Sequence, residues 1–279
     1  MSPEAAERSR HLAGFLHDRR PAWLDRFIVL DECGSTQDEA FAAASGAPGL
    51  VVTSLRQRQG RGRPGKTWSQ RDDLGLAVTF VLDRAAHEAA WLPLRAACAV
   101  CHACERLVDQ WSPTIPEVSP LLRIKWPNDV MVAPTACSRH GASRKLAGIL
   151  VEGRDNLLLL GIGINIHQGE SDWPEPLRTT AVSMAQICKE RPQASLVLDG
   201  LIEALDRVLF ESEPEVLRQF AARDIVTGTR RAIEHDNRRF EGVVERLDPR
   251  GFIRVRLDNG EVVSLPTAAS TLVSGSPQS

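Results

Sequence analysis

Tyrosine is absent from the 279 residues, and aromatic residues of every kind make up only 5%. A phenol therefore plays no part in the chemistry of this chain. No apolar run approaches the roughly 20 residues of a membrane span. The opening MSPEAAERSRHLAGF carries acids early and has no long apolar core, so it does not read as a signal peptide. A cytoplasmic location is the expectation that follows. The formal net charge is only −2, which leaves no broad basic footprint for nucleic acid. Internal repeats and low-complexity segments are also lacking. What is present is ordinary for a globular protein, 43% hydrophobic and 25% charged. The length has room for one large domain, or one medium and one small.

Six cysteines are present, and CAVCHAC (98–104) contains C-x-x-C-H, the c-type haem attachment pattern. Haem attachment needs export, and no export signal is visible. The surrounding LPLRAACAVCHACERLVDQW reads instead as a helix with Leu94, Cys98 or Ala97, Cys101, Cys104 and Val108 on an apolar stripe. The expectation is a core helix whose buried thiols act as small hydrophobes.

Along the chain, residues 8–17 suggest a short amphipathic helix and FIVLDE (27–32) a strand. Ser35-Thr36 are N-cap candidates, with Asp38 and Glu39 in the first turn and Gly46 at the end of a helix of about three turns. Strands are expected at 50–55, 74–82, 121–126, 146–152 and 157–166. The Cys-bearing helix falls after the second of these, and 112–120 and 133–144 read as loops. Two helices follow near 195–211 and 213–223, the second with Ser212, Pro214 and Glu215 as a capping box. From about Ile225 short alternating strands take over, with Asn259-Gly260 as a type I′ hairpin turn. They suggest a small β-barrel, and the boundary is placed between a domain at 1–224 and one at 225–279.

The stretch GRGRPGKT (60–67) matches G-x-x-x-x-G-K-T, the P-loop pattern. A P-loop needs a helix to start at its Lys-Thr, because the helix N-terminus helps hold the phosphates. Here Leu74, Leu76, Val78, Phe80 and Leu82 recur every second residue, so a strand comes next. Pro64 also removes an N–H donor. What remains is a glycine-hinged loop with five cations, Arg56, Arg58, Arg61, Arg63 and Lys66. It is either a solvated basic loop or an anion-binding loop that closes over a ligand.

Three further stretches carry chemistry. In LLLLGIGINI, Leu158, Leu160, Ile162, Ile164 and Ile166 share one face, and Gly161, Gly163 and Asn165 lie on the other. A bare face ending in an amide is one over which something passes closely, either a packed helix or a ligand. LAGILVE repeats the theme, with Lys145 just before it and Gly148 within it. RIKWPNDV (123–130) gathers Lys, Asn and Asp around a strand-ending Pro. It is a plain turn, or the rim of a cleft where Asp129 helps hold Mg²⁺.

In this order, GSTQDEA, QRQGRGRPGKTW, KWPNDV, RKLAGILVEG and GIGINIH resemble the biotin protein ligases, the biotin–[acetyl-CoA-carboxylase] ligases. The resemblance spans roughly Leu30 to Met184, and the trailing β-segment agrees with that family's C-terminal SH3-like barrel. It implies an α+β fold: a mixed sheet with helices, related to class II aminoacyl-tRNA synthetases, plus the small barrel. It also implies an enzyme that joins biotin to ATP as biotinyl-5′-AMP, releasing pyrophosphate, and passes the biotinyl group to a lysine of a biotin carboxyl carrier domain. Mg²⁺ would assist, and the basic loop would cancel repulsion between carboxylate and polyphosphate.

The resemblance further implies residue roles. Arg63 and Lys145 are the catalytic cations. Ser35, Thr36, Gln37 and Gln57 hold the ureido end of biotin. Gly60, Arg61 and Gly62 line the ligand with Arg63, and Gly148, Gly161 and Gly163 leave space for its flat rings. Trp68 stacks on adenine, and Asn128 and Asn165 lie near the nucleotide together with Arg61, Arg63 and Lys145. The chain departs from the family pattern at Gln37, where Asn is common, at Gln59 and Pro64, and in its long 133–144 loop. Only about thirty residues precede the first motif, too few for the winged helix of the DNA-binding members. The expectation is thus a ligase that is not a repressor, with self-association left open. A lipoate ligase, a ligand-controlled binding module and a P-loop NTPase are the rival readings.

Overall fold

The computed structural model describes residues 1–63, 66–70, 72–111, 120–134, 142–188, 192–248, 251–266 and 270–273. The sequence readings that rest on Pro64, on the 112–120 loop and on most of the 133–144 loop lie outside them. The first helix, α1 (Pro3–Arg19), is longer than its periodicity suggests, because Ser2 caps it and Pro3 opens it. Then come β1 (Arg26–Cys33), α2 (Thr36–Ala44), β2 (Leu50–Arg61), β3 (Thr67–Gln70), β4 (Gly75–Asp83) and α3 (Leu92–Trp111). Strands β5 (Leu122–Lys125), β6 (Asp129–Val132), β7 (Arg144–Arg154) and β8 (Leu157–Asn165) follow, then α4 (Met184–Ile187), α5 (Ala194–Phe210) and α6 (Glu213–Ala221). The chain ends in β9 (Arg230–His235), β10 (Arg238–Asp248), β11 (Phe252–Leu257), β12 (Val262–Pro266) and β13 (Ser270–Leu272).

The main sheet has the order β1-β2-β4-β8-β7-β6-β5, with β3 paired to β2. Strand β1 runs parallel to β2, and the other pairs are antiparallel. Its two faces are unequal. Leu158, Leu160, Ile162 and Ile164 of β8 pack into the large core with α1, α3 and α5. Leu157 and Leu159 pack under Ala40 and Ala44 of α2. This is the alternation read in LLLLGIGINI. Because α2 is short, it covers only the start of that second face.

Several local readings are corrected. The 50–55 strand runs on through Gly60 to Arg61, since β3 folds back and pairs with it. Strands β3 and β6 were not expected. Ser212 caps α6 without a side-chain hydrogen bond, so the capping box is not formed. Asn259 lacks the positive φ that a type I′ turn needs. That turn chemistry belongs to Asp236-Asn237, with φ of 48° and 57°, in the two-residue loop between β9 and β10.

The C-terminal strands form a five-stranded antiparallel sheet, β12-β11-β10-β9-β13. It is consistent with an SH3-like unit, but among the described residues its ends do not pair and no closed barrel forms. Its buried residues Ile233, Val244, Leu247, Ile253, Val255 and Leu265 belong to the same apolar cluster as the main core. The junction is hydrogen bonded: Ile124 N donates to Arg223 O at 2.8 Å, and Ile225 N to Ile124 O at 3.2 Å. Arg223 also grips Glu105 of α3 through two bonds of 2.8 and 2.7 Å. Among the described residues no helix is long and apolar enough to cross a membrane.

Candidate active site

The described residues of GRGRPGKT, 60–63 and 66–67, lie where β2 ends and β3 begins. Gly62 N donates to Lys66 O at 2.9 Å, Lys66 N donates to Arg63 O at 2.8 Å, and a strand rather than a helix follows. Among the described residues no helix N-terminus stands behind the loop, so the P-loop match is coincidental. Gly60 is fixed by close packing: a Cβ there would lie 2.4 Å from the Trp68 carbonyl oxygen and 2.4 Å from Gln57 Nε2.

Beneath the hairpin, the N-terminus of α2 builds a buried polar floor. Ser35 is the N-cap, and its Oγ accepts from Gln37 N. Gln57 Oε1 accepts from Thr36 N at 2.8 Å and from Thr36 Oγ1 at 3.1 Å, and Thr79 Oγ1 donates to Thr36 Oγ1 at 2.9 Å. Gln37 Nε2 donates to Leu150 O at 3.2 Å, over Gly161. Its Oε1 is buried and meets no hydrogen-bond partner among the described residues. A buried acceptor without a donor is costly unless something supplies one.

Two residues further along β8, about 7 Å at strand spacing, Gly163 pairs with Gly148 of β7. Together they make a flat shelf, and the indole of Trp68 lies on it. A Cβ on Gly163 would come within 2.3–2.7 Å of indole atoms, and one on Gly148 would be 3.1 Å from both Trp68 Cζ3 and Lys145 Nζ. Lys145 Nζ lies 5.6 Å from the Trp68 ring centre and 2.6 Å from Asp129 Oδ1. The shelf therefore exists as the glycine pattern implies, with Trp68 as its occupant.

Cations converge on Asp129. Besides Lys145, the Arg63 guanidinium feels this carboxylate, which offsets part of the effect of its burial. Lys125, opposite Asp129 in the β5–β6 register, is the lysine of the RIKWPNDV cluster, to which sequence reasoning gave no role. Burial holds its ammonium below the usual lysine range; Asp129 acts against this, while Arg231 and Lys145 add to it. The signal was its place in RIKWPND, directly before the turn. Thr79 was missed too, although it is the one polar residue in the run GLAVTFVL.

Other predicted residues are brought near the site but are held by protein. Arg61 Nη1 and Nη2 donate to Asp38 at 2.5 and 2.9 Å, and its Nε donates to Glu152 at 3.2 Å. Arg154 donates to both of these acids at 2.8 Å. Asn128 Nδ2 donates to Ile149 O, and Asn165 Nδ2 to Lys145 O and Val182 O. These amides set the strand geometry around Lys145. Arg56 and Arg58 pair with Glu32, Lys66 is exposed, and a Cβ on Gly62 would lie 3.2 Å from Lys66 Cβ. Among the described residues no group of three or more His, Cys, Asp or Glu could hold a metal. The haem-like cysteines Cys98, Cys101 and Cys104 are wholly buried in α3.

The arrangement suits an elongated ligand, with a neutral hydrogen-bonding end over the α2 floor, a flat middle on the glycines, and an anionic end among Lys145, Arg63 and Lys125. Residues 34–168 match the biotin/lipoate A/B protein ligase family. A biotin–[acetyl-CoA-carboxylase] ligase of Mycobacterium tuberculosis is 30% identical over 242 residues, covering 83% of each chain. The bifunctional ligase/repressor BirA of Bacillus subtilis is 28% identical over 189 residues, 64% of this chain and 52% of that protein. Among solved structures, the biotin protein ligase of Aquifex aeolicus in complex with biotin and ATP superposes with a TM-score of 0.73 at 23% identity, covering 90% of this chain and all of that one. The fold, the ordered motifs and a relative matched over most of both chains agree, and the chain belongs to the biotin/lipoate A/B protein ligase family.

Proposed function

We propose that the protein is a biotin protein ligase. It joins biotin to ATP as biotinyl-5′-AMP with release of pyrophosphate, then transfers the biotinyl group to a lysine of a biotin carboxyl carrier domain and releases AMP. The observation that carries this reading is the line from polar floor to glycine shelf to cation cluster. Ser35, Thr36, Gln37 and Gln57 would meet the ureido ring, whose N–H groups suit the buried Gln37 Oε1. Gly161, Gly163 and Gly148 would carry the bicycle once Trp68 has moved off the shelf toward the adenine. Arg63 and Lys145 would face the carboxylate and α-phosphate, where negative charge must be gathered for the reaction to proceed.

Asp129 would help hold Mg²⁺, and the ion would supply positive charge against the polyphosphate. Lys145, now ion-paired to Asp129, would then be released to the substrate. Arg61 would line the ligand beside Arg63, while its side chain orders the hairpin through Asp38 and Glu152. A catalytic unit at 1–224 and a β-unit at 225–279, a carboxylase carrier domain as acceptor, and a cytoplasmic setting complete the proposal.

The test is pyrophosphate–ATP exchange with biotin, with lipoate and with neither. Biotin-dependent exchange supports the reading. Lipoate-dependent exchange moves the protein to the sister activity. Biotin binding without exchange would leave a ligand-binding module.

A further inference from the structure

We infer that β13 of the C-terminal sheet is part of the adenylation site, with Ser270 acting as a positioning residue for Arg63. The inference rests on the ligase reading for the reaction, but its geometry stands apart from it. Arg63 Nη2 donates to the backbone carbonyl of Ser270 at 2.9 Å, across 207 residues of sequence. The acceptor matters. Arg61, two residues earlier, is neutralised by Asp38 and Glu152. A carbonyl oxygen orients a guanidinium without cancelling its charge, whereas the two acids cancel that of Arg61.

The carbonyl is itself held. Strand β13 has three residues and, among the described residues, borders β9 alone, through Ser270–His235, Thr271–Glu234 and Leu272–Ile233. Such a short edge strand has few ladder bonds to fix it. Ser270 adds its side chain: the hydroxyl is buried, donates to Pro266 O at 2.6 Å, and lies 3.3 Å from His235 Nδ1. The chain from His235 through Ser270 to Arg63 thus ties the C-terminal sheet to the hairpin carrying the catalytic cation.

The experiment is a double-mutant cycle on the full-length protein with Ser270→Ala and Arg63→Ala, read by biotin-dependent pyrophosphate exchange. Ser270→Ala is expected to lower kcat about five- to twentyfold with the KM for biotin within about twofold, and Ser270→Thr, which keeps the hydroxyl, to restore it. In the Arg63→Ala background the same change should cost less than about twofold. Independent, multiplicative losses, or full activity of Ser270→Ala, would overturn the proposal. Hydrogen exchange of residues 57–63 without substrate gives a second readout, expected to quicken in Ser270→Ala and in His235→Gln. Unchanged protection there overturns the proposal even where a variant is poorly active. Faster exchange in a wild-type background that shows no biotin-dependent activity would retain the tether and sink the ligase reading alone.

Discussion

Arg61 and Arg63 lie two residues apart on one hairpin, yet one donates to carboxylates and the other to a backbone carbonyl. Sequence could supply both arginines but not this division, because it depends on Asp38, Glu152 and Ser270, which are distant along the chain. Replacing Arg63 or Lys145 with Ala should lower biotin-dependent exchange by about 10²–10³, as for other groups that stabilise developing charge. Lys66→Ala should stay within about threefold of wild type, because that side chain is exposed and a surface charge contributes little. Parallel exchange assays on the three variants decide it, and equal losses at all three would return the loop to the P-loop reading. The glycines make a different kind of claim. A side chain at 163 meets the indole first. The ring can move aside, so the larger penalty falls on whatever replaces it. Gly163→Val is expected to raise the KM for biotin at least about tenfold while the protein stays folded, since one or two misplaced methyl groups in a fitted site cost about 1–3 kcal/mol. Steady-state kinetics beside a thermal melt checks both halves.

Helix α3 shows why an element can be read correctly where a motif misleads. The C-x-x-C-H spacing is also helical spacing, and it puts Cys98, Cys101 and Cys104 into the core. Burial pushes the Cys98 thiol up to about 12 and raises the Cys101 and Cys104 thiols as well. In the unfolded chain these thiols ionise near pH 9, while in the folded chain they stay protonated. The unfolded state then binds fewer protons, so stability must fall as pH rises from about 9 toward 12, by about 1.4 kcal/mol per pH unit for each thiol. Denaturant midpoints taken across that range should decline less steeply in Cys98→Ala, and native α3 thiols should resist alkylation until unfolding. Strand β8 was legible for the same reason as α3: its two faces differ in kind, so its periodicity is unambiguous. Strand β6 was not, because DVMV is four residues long and follows a turn-like PND. The hairpin turn went to the wrong dipeptide because Asp236-Asn237 and Asn259-Gly260 are both turn formers. Only the two-residue spacing between β9 and β10 selects the first.

At the scale of the molecule, the C-terminal sheet shares its apolar cluster with the main sheet, and Arg223 joins α3, β5 and the junction through Glu105 and Leu122 O. The composition shift near Ile225 marks a change of architecture, but a shared core cannot be seen in composition. Heat should therefore unfold both sheets in one calorimetric transition. Glu105→Ala should lower stability by about 2–3 kcal/mol, because it leaves Arg223 charged, largely buried and unpaired. Two resolved transitions would show that the sheets fold as independent units. The indole on the glycine shelf has an optical consequence at this same scale. The chain has six tryptophans and no tyrosine, so its ultraviolet emission belongs to indoles alone. One of them lies beside an ammonium on the shelf proposed for the ligand. Arrival of biotin should shift the intensity and wavelength of that emission in proportion to occupancy, and Trp68→Phe should abolish the shift, so the protein carries its own fluorescent gauge of ligand binding.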